Sequence, residues 1–172
     1  LVAARKGGLD EHTLNALLPR VDVLPFDANR QYMATAHAPD GEHILYVKGA
    51  LERLLPLCVD QLASDGRSVP LDASAIEHAA QAYAEQGMRV LLLARRLLPK
   101  AAPLTEAAVA RLSVIGLVGM IDPPRKAVIA AIHNCHSAGI RVKMITGDHA
   151  VTALAIARQI GLDAGRALTG RE

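Results

Sequence analysis

The chain has 172 residues, 19 Lys+Arg against 17 Asp+Glu, and a formal net charge of +2. With 51% hydrophobic and 21% charged residues it can bury a core, which excludes a disordered chain. The balanced charge lacks the basic, aromatic-interleaved face of a nucleic-acid binder, so no nucleic-acid partner is expected. No apolar run approaches the roughly 20 residues of a membrane-spanning helix. Cys58 and Cys135 show no CxxC spacing and fit a reducing compartment. Leu1 is not an initiator Met and the tail ALTGRE stops abruptly, so the sequence reads as a piece of a longer chain.

In chain order, a first helix is expected from about Asp10 to Leu18, stopped by Pro19. A strand follows at Val21–Leu24, then Pro25-Phe26-Asp27-Ala28-Asn29-Arg30. Gln31–His37 and His43–Lys48 read as two strands of an antiparallel hairpin around Ala38-Pro39-Asp40-Gly41-Glu42. Leu51–Cys58 reads as a helix, and Ser74-Ala75-Ile76-Glu77 as a capping box opening a helix to Gln86, with Gly87 as its stop. Arg89–Ala94 is an apolar strand, and Thr105 caps a short helix to Leu112. From about residue 113 the texture changes to strand Val114–Ile121, helix Lys126–Ala138, strand Ile140–Ile145 and helix His149–Ile160. That alternation, with no polar period, predicts a parallel sheet covered on both faces.

Ligands of parallel sheets bind at strand carboxyl ends. Thr146, Gly147 and Asp148 fall at such an end, ahead of a helix, where free N–H groups favour an anion. Capping alone also accounts for them. Asp122 is a second strand-end carboxylate. A haloacid-dehalogenase-type nucleophile would carry another Asp two residues on; Pro124 stands there instead, so a strand stop fits better. Lys48 beside Gly49 is placed to reach a nucleotide or simply solvent, and Phe26, the one Phe of the chain, to stack on a purine or fill core. His133, Cys135 and His136 bring no third ligand with them and read as a surface helix rather than a metal site.

Five blocks, in order, resemble P-type cation-transporting ATPases, most closely the group that includes calcium pumps. They are LPFDANRQYM around Phe26, YVKGALE around Lys48, QGMRVLLLARR around Arg89, GLVGMIDPPR at 116–125 and AGIRVKMITGDHAVTALAIARQIGL at 138–162. The resemblance implies an α/β architecture. Residues 1–112 would form a nucleotide-binding domain with an antiparallel sheet, its N-terminal part missing. Residues 113–172 would form part of a haloacid-dehalogenase-like Rossmannoid phosphorylation domain. The family's DKTGT motif, with the phosphorylated Asp, and its GDGxND motif do not occur in the chain.

The same resemblance implies ATP as ligand, Mg²⁺ in the parent protein, and an aspartyl-phosphate cycle driving cation transport. The partners would be the rest of the pump: actuator and transmembrane domains and the remainder of the phosphorylation domain. The chain would be the cytoplasmic part of a membrane protein. Phe26 matches the aromatic that stacks on adenine, and Lys48 and Gly49 match the KGA motif of the adenine pocket. Arg89 matches an arginine that contacts ATP phosphates or bridges toward the phosphorylation domain. Asp122 and Arg125 match the hinge segment, and Thr146, Gly147 and Asp148 match the loop beside the phosphorylated Asp. Gln31 stands where the family usually has Lys or Arg, and Leu51 where it usually has Pro. Arg30 is the nearest candidate to supply the missing charge. A free-standing phosphatase and a non-catalytic α/β interaction module are the alternative readings, separable by phosphomonoester turnover and by nucleotide titration.

Overall fold

The computed structural model describes residues 2–39, 42–98, 103–162 and 167–168; the expected turn residues Asp40 and Gly41 lie outside them. The chain divides into two compact units, Leu1–Ala73 with Leu91–Leu117, and Ser74–Val90 with Val118–Glu172.

The first unit is built on a mixed, mostly antiparallel sheet. Among the described residues seven strands follow the spatial order β1-β2-β3-β6-β7-β4-β5. They are β1 Arg20–Asp27, β2 Tyr32–His37, β3 His43–Gly49, β4 Cys58–Leu62, β5 Ser68–Pro70, β6 Arg89–Leu98 and β7 Leu112–Met120. The expected hairpin is present: β2 and β3 pair antiparallel, with Met33 opposite Lys48 and Thr35 opposite Tyr46. β3 pairs antiparallel with β6, placing Lys48 opposite Leu93.

Period-two alternation then sorts the side chains. One face carries the core: Tyr32, Ala34 and Ala36 on β2, Leu45 and Val47 on β3, Leu92 and Ala94 on β6, Leu112 and Val114 on β7, all buried. Leu54, Leu55, Leu104 and Val109, from the segments outside the strands, are buried as well. Leu45, Leu54, Leu92 and Leu112 are the largest side chains fully out of water, so each is worth about 2–5 kcal/mol against alanine. The opposite face stays open, with Val23, Leu97 and Ile115 exposed.

Three expectations are corrected here. The Leu51–Cys58 helix is only α3, Leu51–Leu54, tightening into a 3-10 turn at Leu55–Leu57. Pro56 removes a helical donor, and the chain leaves as β4. The two strands β4 and β5 went unforeseen because Cys58–Leu62 carries no clean alternation. The Thr105-capped helix is a single 3-10 turn, Glu106–Ala108, with no side-chain cap bond. The third concerns Val114–Ile121, expected as a strand buried on both faces of a separate parallel sheet. It is β7, which pairs parallel with β4 in this same sheet and exposes Ile115, Gly119 and Met120.

The second unit is helical. It contains α4 (Ala73–Glu85), α5 (Lys126–Ser137) and α6 (Ala150–Gln159), following α1 (Val2–Lys6) and α2 (Glu11–Leu17) of the first unit. α4 opens two residues early, so Asp72 rather than Ser74 stands at its N-cap position. Gly87 ends it in the left-handed region (φ +80°), as expected. α6 buries the small-residue row Thr152, Ala153, Ala155 and Ala157, and the Thr152 hydroxyl donates to the Met88 carbonyl (3.2 Å). The expected strand Ile140–Ile145 is not formed. A strand needs a hydrogen-bonded neighbour, and none of the described strands pairs with it; Ile145 is 96% exposed.

Candidate nucleotide site

The first unit's open sheet face carries a groove of about 360 Å³. Its lining includes Met33, Thr35, Tyr46, Leu93 and Ile115, together with Lys48, His37 and Arg20. The pairings explain this composition: Met33, Lys48 and Leu93 are cross-strand neighbours on one face. His37 is fixed there by Leu18 O (Nδ1, 2.8 Å) and the Thr35 hydroxyl (Nε2, 3.0 Å), with Tyr46 edge-on at 5.5 Å.

Phe26 reaches the same face because of a bulge. Leu24 pairs with Ala34 and Asp27 with Tyr32, so β1 spends one more residue than β2 over that span. Asp27 shares the core face with Tyr32, and alternation turns Phe26 to the open face with Lys48. Phe26 does not line the groove itself and remains 60% exposed. A regular strand would have placed Phe26 on the core face with Leu24.

The turn after Phe26 is held by local chemistry. The Asp27 carboxylate accepts the N–H groups of Asn29 (2.9 Å) and Arg30 (3.1 Å), and the Gln31 N–H donates to the Asp27 carbonyl (2.7 Å). The Arg30 and Asn29 amides hold the Asp27 carboxyl below the usual carboxylate range. Gln31 closes the turn in the left-handed region (φ +61°).

Gly49 is required at its position by this turn. A Cβ there would collide with Tyr32 Cβ and lie 2.6 Å from the Gln31 carbonyl oxygen. The glycine lets β3 run under the turn before α3 begins.

Arg30 does not provide a free charge in place of the missing base at position 31. Its Nη1 donates to Glu106 Oε1 (2.6 Å) and its Nη2 to the Pro25 carbonyl (2.8 Å). The charge beside Gln31 comes instead from Arg53 of α3, whose Nε donates to Gln31 Oε1 (3.0 Å). Neither Arg53 nor Glu106 was visible in sequence, because they lie 22 and 76 residues from their partners.

The remaining candidates lie in the second unit. Arg89, Asp122 and Arg125 are exposed, and Arg125 is the N-cap of α5 with no side-chain cap bond. The Thr146 hydroxyl donates to the Asp148 carboxylate (2.7 Å) and accepts the Asp148 N–H (3.1 Å). His149, not Asp148, is the N-cap of α6. These two exposed segments therefore present polar groups to solvent, each from its own loop.

Cys58 and Cys135 are free thiols. Among the described residues no three His, Cys, Asp or Glu side chains gather as a metal site, and no helix is long and apolar enough to cross a membrane.

The chain is 45% identical to "Cation-transporting ATPase pma1" of Synechocystis, over all of this chain and 19% of that protein. It is 38% identical to "Calcium-transporting ATPase 1" of Bacillus cereus over 94% of the chain and 18% of the relative. It is 39% identical to the sodium/potassium-transporting ATPase subunit alpha-2 of Gallus gallus over 84% and 16% respectively. The chain thus spans about a fifth of the length of the curated relatives it matches. Residues 1–127 match the family described as "P-type ATPase, cytoplasmic domain N", and the chain belongs to the P-type ATPase family.

Proposed function

We propose that this chain is the nucleotide-holding part of an ATP-driven cation pump. The observation that carries the reading is the shared open face of Phe26 and Lys48 beside an apolar groove of about 360 Å³, within the usual range for small-molecule sites. Met33, Tyr46, Leu93 and Ile115 offer an apolar bed for a purine, and Phe26 a face on which it can stack. Lys48 and Arg20 are cations of the groove lining, suited to phosphate oxygens. The groove lining contains no carboxylate, so it suits the base and phosphates; Mg²⁺ would arrive on the phosphates and neutralise their charge.

In the whole pump, this part would present the γ-phosphoryl group to an aspartate outside these 172 residues, on the cytoplasmic side of the membrane. Asp122, Arg125 and the Thr146–Gly147–Asp148 loop would belong to the phosphorylation domain, with Arg89 serving the phosphates or the joint between domains. The rest of that domain, the actuator and the transmembrane segments would complete the machine. With no aspartyl nucleophile of its own, the chain binds ATP and does not turn it over. Incubation with ATP labelled at the γ-position tests this. Binding without acid-stable incorporation is the expected result; robust incorporation, or turnover of a phosphomonoester, would contradict it.

A further inference from the structure

We propose that Arg30 and Glu106 are positioning residues of the nucleotide site, a clasp that holds the bulged end of β1 so that Phe26 stays on the open face. The inference rests on the nucleotide reading above and assigns to it two residues that do not touch the groove.

The clasp starts from a fixed point. Glu106 sits in the 3-10 turn Glu106–Ala108, and that turn is tied to the sheet on both sides. Before it, the Leu104 N–H donates to the Asp22 carboxylate of β1 (3.1 Å). After it, Arg96 of β6 donates to the carbonyls of Ala108 (3.1 Å) and Ala110 (3.0 Å). Leu104 and Val109, flanking the turn, are buried.

From that anchor Glu106 takes Arg30 Nη1 at 2.6 Å, and Nη2 of the same guanidinium takes the Pro25 carbonyl at 2.8 Å. The guanidinium lies 6.0 Å from the Tyr32 ring centroid, over its face. Phe26 is therefore bracketed. The carbonyl before it is bound by the Arg30 side chain, and the carboxylate after it, Asp27, by the Arg30 backbone N–H. A planar fork that bonds two groups at once fixes their separation, which a flexible ammonium does not.

The arrangement does little for the fold itself. Glu106 is 61% exposed at its side chain and Arg30 21%, so water reaches the pair from the Glu106 side and its contribution to stability is modest. What it fixes is direction. Phe26 is 60% exposed and gains little hold from packing, so the backbone on either side must aim its ring. A ring free to swing would pay its ordering cost when the base binds, and affinity would fall.

Phe26 is the single Phe of the chain, so 4-fluorophenylalanine labels that ring alone. In the 172-residue chain, Glu106→Ala should shift or broaden the fluorine resonance without nucleotide present, while Glu106→Gln, which keeps an acceptor for Arg30, should leave it near wild type. Arg30→Lys, which cannot bridge both acceptors, should resemble Glu106→Ala. By calorimetry Glu106→Ala should weaken ATP binding by about three- to tenfold, a fraction of a stacking contact. Inorganic tripolyphosphate, which has no base, should bind Glu106→Ala as it binds wild type. In a Phe26→Ala background, Glu106→Ala should cost no further affinity. An unchanged fluorine signal in Glu106→Ala overturns the clasp, as does an equal loss for tripolyphosphate or an undiminished loss in the Phe26→Ala background. A wild-type chain whose fluorine signal ignores millimolar ATP overturns the nucleotide reading and the proposal with it, a result distinct from failure of the clasp alone.

Discussion

Phe26→Ala separates a stacking platform from a core residue. A Phe buried in a core costs about 3–5 kcal/mol when cut to alanine. Phe26 is 60% exposed, and the space it would vacate opens to solvent, so no cavity term applies. Roughly four-tenths of a full transfer energy of about 1.5–3 kcal/mol leaves about 0.6–1.2 kcal/mol. For a chain of this size that is a fall in melting temperature of about 1–5 °C. Stacking on a base is worth about 1–3 kcal/mol, a loss of roughly 5- to 150-fold in affinity. Thermal melts and an ATP titration on the same preparations decide the matter. A drop of more than about 10 °C with unchanged ATP affinity would refute the placement of Phe26 on the open face.

Other residues give further tests. Gly49→Ala must push the Gln31–Tyr32 backbone aside, and overpacking of this kind costs about 1–3 kcal/mol, readable as a lowered melting temperature; an unchanged melt would mean the turn is not seated as described. Burial pushes the Cys58 thiol up to about 11, and its Sγ–H donates to the Leu54 carbonyl (3.2 Å). Brief alkylation at pH 8 followed by peptide mass mapping should therefore find Cys135 modified well before Cys58, and the reverse order would contradict the buried placement. Asp10, held low by the backbone and hydroxyl of Thr13, and Asp27, held low by the Arg30 and Asn29 amides, stabilise the folded state while ionised. A depressed folded pKa gives stability that is full above the unfolded value, about 3.9, and is lost as pH falls through the folded value. Denaturation midpoints should thus decline only below about pH 4, less steeply in Asp27→Asn, and a decline beginning near neutrality would contradict this.

The parts of the fold that sequence made legible are those with local causes. The β2–β3 hairpin follows from alternation, and the stops at Gly87, Gly139 and Gly161 from glycines that all take positive φ. The parts that were not legible depend on distant partners. β7 looked like a strand of its own parallel sheet because Val114–Ile121 is apolar throughout, yet its place is set by β4, whose Cys58 pairs with Leu112. Ile140–Ile145 has strand composition and no strand beside it among those described. The candidate site divides the same way. Phe26, Lys48 and Gly49 stand out as residue types in telling contexts. The ties of Arg30 to Glu106 and of Arg53 to Gln31 span too much chain for any local pattern to announce them, and the bulge that turns Phe26 outward is a matter of register with β2 that composition does not carry.

The central claim is that ATP lies on the open face of the sheet between Phe26 and the groove that Lys48 helps line. The most direct measurement is an ATP titration of the ¹⁵N-labelled chain, carrying fluorophenylalanine at its one Phe, followed by NMR. The account predicts saturable shifts at Met33, Lys48, Gly49 and Leu93, with the Phe26 fluorine moving in step, and small changes at Leu45 and Leu112 on the core face. Saturable shifts confined to other residues, or none at millimolar ATP, would contradict it.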